Sequence, residues 1–349
     1  MSAPGGLFRQ PMRWLPNLLL GIFGVAAGLG LGEIAASRIL ARPPGKIVSP
    51  AAFADPYKMR NSTKFRDFDY PAGKPPGVFR ILAAGDSFTQ GGGVNGDDTW
   101  PKKLERYLNS LAPAPPGTIF QVINIGVPGS STRDQVPLIR EEASRYTPDL
   151  VILGYCLNDT EDPDDRTGFR DARRRLYLYN FDKGKGLKGY LHDHSALWRL
   201  IARRLFNART FRGQEEYYHW LYREQYPGLA KTRQALLDLG DWSRSGGVPA
   251  VVVIFPLLSF GLGDDYPFGY VHEKLGRAVA AARLRSIDLW GSLRDRDPLA
   301  MQAIPFQDPH PSDTAQRVAA ETILTWLTEQ GLVPPGPDSP ARPIPSPYR

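Results

Sequence analysis

Four short stretches of this chain carry the residue types from which acyl-transfer chemistry is built. They are Gly85-Asp86-Ser87-Phe88-Thr89, Asn124-Ile125-Gly126-Val127-Pro128-Gly129, Gly154-Tyr155-Cys156-Leu157-Asn158-Asp159 and Asp308-Pro309-His310-Pro311. A serine hydroxyl is a weak nucleophile until a base within hydrogen-bond reach accepts its proton. Of the five histidines, only His310 combines a neighbouring acid with a place expected at a sheet edge. Asp308, two residues earlier, would hold the imidazole in one tautomer and stabilise the imidazolium. The tetrahedral oxyanion of such a reaction needs fixed donors, each worth about 2.7–4 kcal/mol of barrier. A glycine at 129 would let backbone approach a reacting group closely. Taken singly, each residue has a plainer reading. Ser87 reads as a helix cap, Asn158 and Asp159 as turn residues, His310 as a surface residue, Asp86 as a structural hydrogen-bonding group and Cys156 as core.

The elements that must position these stretches follow from hydropathy. Apolar runs at 78–84, 120–125, 149–154, 249–255 and 286–290 read as strands, several of them continuous, as buried parallel strands are. Helical patterns cover 99–112, 131–146, 215–240, 270–284 and 313–330. Strands alternating with helices predict an α/β, flavodoxin-like three-layer sandwich around a parallel sheet of about five strands. Ligands in open sheets of this kind sit at the carboxyl ends of the strands. The first three stretches each follow a strand, and the fourth precedes the last helix. The segment from about 160 to 214 breaks the rhythm and reads as a helical insertion.

Together the four stretches resemble the SGNH hydrolases, the GDSL-type esterase and lipase superfamily, over residues 77–332 apart from the insertion. The resemblance implies a serine hydrolase of esters without cofactor or metal, with Ser87 as nucleophile, His310 as base and Asp308 as acid. It implies an oxyanion hole made of the backbone N–H groups of Ser87 and Gly129 and the side-chain amide of Asn158. Two departures stand out. Gln307 occupies the place where the family most often has its acid, and Asp308 follows it. One extra residue separates Gly154 from Asn158 relative to the shortest family form. Membrane-anchored members of the family resemble glycan-modifying enzymes, which makes an O-acetylated cell-surface polysaccharide the expected substrate. An O-acyltransferase using the same triad, and a non-catalytic glycan-binding module, are the alternatives.

The chain has 349 residues, 42% of them hydrophobic and 23% charged, as globular proteins do. Its single cysteine excludes an intramolecular disulfide and a cysteine-based zinc site. The net charge is +7, but residues 166–212 alone hold thirteen Lys/Arg against three Asp. The basic balance therefore belongs to the insertion, and no nucleic-acid-binding pattern accompanies it. His192 and His194 lack a third ligand at metal spacing. Gly91-Gly92-Gly93 lacks the Lys-Ser/Thr of a phosphate loop and is expected as a flexible rim.

Residues 14–36, after a tail at 1–13, form an apolar stretch free of charge from Trp14 to Gly32. It is long enough to span a bilayer and longer than the usual signal-peptide core, so an uncleaved anchor is expected over a cleaved leader. Gly24, Gly28 and Gly32 recur every fourth residue, a pattern that lets membrane helices associate. A linker at 37–76 and a Pro-rich disordered tail at 333–349 complete the reading. The expected location is the inner membrane, single-pass, with the catalytic domain on the periplasmic or outer side.

Overall fold

The computed structural model describes residues 15–40, 62–63, 65–111, 115–165, 186–304 and 308–334. In chain order the main elements are α1 (Leu15–Leu40), β1 (Val78–Gly85), α2 (Ser87–Gln90), α3 (Trp100–Leu111), β2 (Ile119–Asn124), α4 (Thr132–Tyr146) and β3 (Leu150–Tyr155). There follow α5 (Leu187–His194), α6 (Ala196–Leu221), α7 (Pro227–Gly246), β4 (Ala250–Ile254), α8 (Gly269–Ala281) and β5 (Arg285–Asp288). The last are α9 (Trp290–Leu293), α10 (Pro298–Met301), β6 (Gln302–Ile304), β7 (Asp308–Pro311) and α11 (Asp313–Glu329). Two compact units result, one of residues 1–43 with 179–209, the other of 44–178 with 210–349.

The larger unit is built on a parallel sheet of five strands in the order β2-β1-β3-β4-β5. The expected α/β sandwich is therefore present, with the flavodoxin-like strand order. β3 and β4 are buried along their whole length, which explains why they read as unbroken apolar runs. β1 pairs with β2 on one side and β3 on the other, with Ile81 opposite Leu150 and Gly85 opposite Gly154. The chain direction across the sheet reverses between β1 and β3, and in such sheets the crevice at that reversal takes the ligand.

Two expectations need correction, and one pair of strands was not expected. The helix expected over 215–240 is two helices, because Pro227 lacks an N–H and clashes inside a helix but fits at the first position of α7. Strands β6 and β7 pair as a small antiparallel two-stranded unit, with Gln302 opposite Pro311 and Ile304 opposite Asp308. The expected linker does not extend to residue 76. Phe65, Arg66 and Asp67 are buried in the sheet unit, where Arg66 donates to the carbonyls of Gly91 and Val94. Asp67 accepts from the Asn124 N–H at 2.6 Å and pairs with Lys102 at 3.0 Å.

In the smaller unit α1 contains one apolar stretch, Asn17–Arg38, long enough to cross a membrane or to serve as a signal sequence. Leu20, Phe23 and Leu31 on it are about 70% exposed. Gly24 and Gly28 face open space, whereas Gly32 packs against Leu197 of α6. The tail at 1–13, most of the linker, residues 166–185 of the insertion and the segment from 335 onward lie outside the described residues.

Candidate active site

The site grows from the end of β1. Asp86 leaves the strand at φ −89°, ψ −146° and caps α2, its Oδ1 accepting from the Phe88 N–H at 2.8 Å. Asp86, not Ser87, is the cap, so the serine hydroxyl is available for other partners. Thr89 wedges between the ends of β1 and β3. A Cβ on Gly85 or Gly154 would lie 2.2 or 2.4 Å from its Oγ1, so only glycine fits at either position. Gly154 thus has a structural reason in its strand despite the unusual spacing to Asn158. Gly91 then closes α2 in the left-handed conformation at φ +86°.

The β6–β7 pair brings the last stretch to this point. His310 Nε2 lies 2.9 Å from Ser87 Oγ. Its Nδ1 lies 2.5 Å from Asp308 Oδ1, which also accepts from the His310 backbone N–H at 3.0 Å. The imidazole is held from both ends. It rests on the glycine run that was expected as a flexible rim. A Cβ at Gly92 would lie 3.0 Å from His310 Cδ2, and one at Gly93 would lie 2.4 Å from Ala303 Cβ in β6. Gly92 and Gly93 are therefore a packed floor beneath the His310–Asp308 pair, while Gly91 packs against Thr99. Phe88 completes the enclosure, with its ring centroid 5.7 Å from that of His310.

Asn158 lies in a 3-10 turn, Leu157–Thr160, directly after β3. Its Nδ2 donates to Asp86 Oδ2 at 3.1 Å, and the same carboxylate oxygen lies 3.4 Å from Ser87 Oγ. Asn158 Oδ1 is buried and has no partner among the described residues. A reversed amide would set that oxygen against the Asp86 carboxylate, so Asp86 dictates which way the amide points. One N–H of the amide is spent on Asp86, and the other is left for a further acceptor. Gly129 stands in the loop after β2 at φ +73°, exposed, with open space where a Cβ would be. Its requirement for glycine comes from the backbone conformation and not from crowding. Asn124 is structural. Its amide donates to the Thr89 carbonyl at 2.9 Å and its Oδ1 accepts from the Gly126 N–H at 3.0 Å. Asp159 is buried and accepts from the Cys156 N–H at 3.3 Å, while Cys156 itself is buried core whose thiol burial pushes well above its usual range.

Charge in the site is set by these contacts. Burial disfavours the His310 imidazolium, but the hydrogen bond and charge of Asp308, with the charge of Asp86, outweigh it and raise the pKa above the ordinary value. Burial pushes Asp308 the other way, yet its hydrogen bonds and attraction to His310 hold it below the usual carboxylate range. Asp86 is raised by complete burial, against the hydrogen bonds from Phe88 and Asn158.

The structure brings together Ser87, His310, Asp308 and Asn158, and keeps Gly129 on a loop fastened beside them by the Val127 N–H bond to the Gly85 carbonyl at 2.9 Å. His310 is not the sole histidine with an orienting acid. His272 Nδ1 lies 2.9 Å from both oxygens of Asp288 at the end of β5. That ring is buried, and its Nε2 faces the Tyr266 hydroxyl at 3.3 Å, so it serves the packing of the core. No cluster of metal-binding side chains occurs among the described residues. Sequence reasoning missed the amide-orienting contact of Asp86 and the glycine floor. The only available signal was their adjacency to Ser87.

An open parallel sheet with a serine, histidine and aspartate bonded in series at its switch point defines a class of hydrolase. The chain belongs to the GDSL-like lipase/acylhydrolase family, whose model matches residues 83–318. It is thus a hydrolase acting on ester bonds. Among solved structures it is similar to a catalytic mutant of Axe2, an acetylxylan esterase from Geobacillus stearothermophilus. Identity is 16%, the TM-score 0.44, and the match covers 71% of this chain and 93% of that one. It is also similar to TesA (15% identity, TM-score 0.42, 73% of this chain and 99% of that one). A third likeness is to a two-domain esterase active on acetylated mannans (13%, 0.42, 76% and 52%). The curated proteins contain no match.

Proposed function

We propose that the protein is a serine esterase that removes acyl groups, foremost O-acetyl, from a cell-surface polysaccharide through a Ser87 acyl-enzyme. The observation that carries this is the continuous Ser87–His310–Asp308 hydrogen-bond series, with 2.9 Å between His310 Nε2 and Ser87 Oγ and 2.5 Å between His310 Nδ1 and Asp308 Oδ1. Ser87 Oγ attacks the ester carbonyl carbon while His310 Nε2 takes its proton. The alkoxy C–O bond then breaks, and His310 returns the proton to the departing alcohol. Water, deprotonated by His310, attacks the acyl-serine, and the carboxylic acid leaves as the serine is regenerated. Asp308 keeps Nδ1 protonated and balances the imidazolium charge. Asn158, aimed by Asp86, and the N–H groups of Ser87 and Gly129 receive the oxyanion.

A fluorophosphonate probe tests the reading directly. The full chain should be labelled at one site, and Ser87→Ala should abolish labelling without changing the circular dichroism. A well-folded parent that resists the probe would leave only the binding-module alternative.

The polysaccharide assignment is supported by the family together with an apolar N-terminal helix that would hold the domain at the membrane. In this reading α1 is an uncleaved single-pass anchor in the inner membrane with the catalytic unit outside. A C-terminal alkaline phosphatase fusion should be active in bacteria. Fluorescence only from a cytoplasmic green fluorescent protein at that end would invert the topology and remove an exported glycan as substrate.

A further inference from the structure

We infer that Tyr218 of α6 is a specificity-determining residue whose hydroxyl donates a hydrogen bond to the alcohol half of the substrate, selecting a sugar ester over an alkyl ester. The inference deepens the esterase reading and rests on it.

The first observation is where the end of α6 packs. The Tyr222 N–H bonds to the Tyr218 carbonyl at 3.3 Å, so the two residues stand one turn apart on one face. Tyr222 Oη donates to the Leu157 carbonyl at 2.9 Å, and Tyr217 Oη donates to Glu161 Oε1 at 2.6 Å. Leu157 and Glu161 bracket the turn that carries Asn158, and the Glu161 N–H bonds to the Asn158 carbonyl at 2.8 Å. The end of α6 is thus laid against the turn that presents the oxyanion amide. The Tyr218 ring also meets Phe268 edge-on, with centroids 5.7 Å apart, and Phe260 lies 5.0 Å from Phe268. Both phenylalanines belong to the loop between β4 and α8. That loop starts beside the nucleophile, where the Phe255 ring is 5.9 Å from Phe88, and its Leu258 carbonyl accepts from Gln302 of β6 at 2.7 Å. Tyr218 therefore stands between the loops after β3 and β4, at the sheet edge where Ser87 meets His310.

The second observation is the hydroxyl itself. The neighbouring tyrosines are committed: Tyr226 Oη accepts from the Asp162 N–H at 2.8 Å and Tyr266 Oη from the Leu257 N–H at 2.9 Å. Tyr218, half-buried, has no hydrogen-bond partner for its hydroxyl among the described residues. A phenol taken this far from water normally has one. Burial first, then the acidic groups of Cys156, Glu161 and Asp86, push its pKa well above the ordinary phenol value. The hydroxyl therefore stays protonated and can donate. An acetyl group offers a single acceptor, its carbonyl oxygen, and the oxyanion donors claim that atom. The partner of Tyr218 must then come from the alcohol half. A hydroxylated sugar supplies acceptors there, whereas an alkyl chain supplies none and leaves the phenol shut off from water.

The test compares two esters with the same acyl group, a mono-O-acetylated methyl glucoside and hexyl acetate, on the full chain and on Tyr218→Phe. Phenylalanine keeps the ring against Phe268, and the ratio of the two rates on one preparation does not depend on how much of it is folded. The parent should favour the glucoside in kcat/KM. Tyr218→Phe should lower kcat/KM on the glucoside by about tenfold and leave hexyl acetate unchanged. An equal fall on both esters would place Tyr218 in the fold or behind the reacting groups and overturn the inference. No change on either would mean that the hydroxyl never meets the alcohol half, and would overturn it too. A parent that favours hexyl acetate, or that hydrolyses neither ester although the fluorophosphonate labels Ser87, would sink the inference alone. A parent that hydrolyses neither and also resists the probe would bring down the esterase reading, and this inference with it.

Discussion

His310 is the residue on which the proposed chemistry turns, and its surroundings give a signed expectation. As base it must be neutral, and Asp308 and Asp86 together raise its pKa despite burial. The rising limb of kcat/KM should therefore lie above the ordinary histidine value of about 6.5. Asp308→Asn removes the nearer anion, so the limb should move to lower pH while the plateau falls by roughly orders of magnitude. A pH–rate profile of both proteins on a soluble ester checks the pair of effects. An unchanged limb with near-full activity would mean that His310 draws its support from elsewhere. The sequence made Ser87, Asn158, Asp308 and His310 legible because each follows a strand or precedes a helix in a fixed order. It could not show that Asp86 spends its carboxylate on orienting Asn158, since that contact joins residues 72 positions apart.

At the scale of elements, the site depends on two pieces that packing created and hydropathy could not announce. The β6–β7 pair carries Pro309 and Pro311, and proline lacks the ladder donor by which strands are usually recognised. The glycine run after α2 looked like slack and is instead a floor. Gly92→Ala tests it. The new methyl would meet the His310 ring at 3.0 Å, and that ring is bonded at both nitrogens and has nowhere to move. Turnover should drop by about tenfold or more, the order of a 1.4 kcal/mol misalignment, while the melting temperature changes little. Equal loss of melting temperature and activity would make Gly92 merely a folding position. The strands themselves were read to within one or two residues, because buried parallel strands leave long apolar runs.

For the molecule as a whole, the composition break before Val78 gave a misleading boundary. Phe65, Arg66 and Asp67 look like linker by composition, but their contacts are with loops and strands far along the chain. A chain beginning at residue 62 should hydrolyse a soluble ester like the parent. One beginning at residue 70 loses the pairing of Asp67 with Lys102, leaving a buried ammonium with fewer partners, and should melt markedly lower. Comparing the thermal melts and ester turnover of the two truncations decides the boundary. Equal stability would restore the later start.

Ser87 and His310 bond across 223 positions of sequence. A ribosome builds such a chain from one end, so the proposed nucleophile is made long before its base. Until β7 arrives, every nascent molecule holds an alcohol without the base proposed to take its proton. Gln316 adds to this, since its side chain accepts from the Trp100 N–H at 2.7 Å and donates to the Phe88 carbonyl at 3.2 Å, tying the late helix to the early ones. The enzyme is in this sense its own timer. Esters met before the fold is finished are spared because the proposed reactive pair does not yet exist.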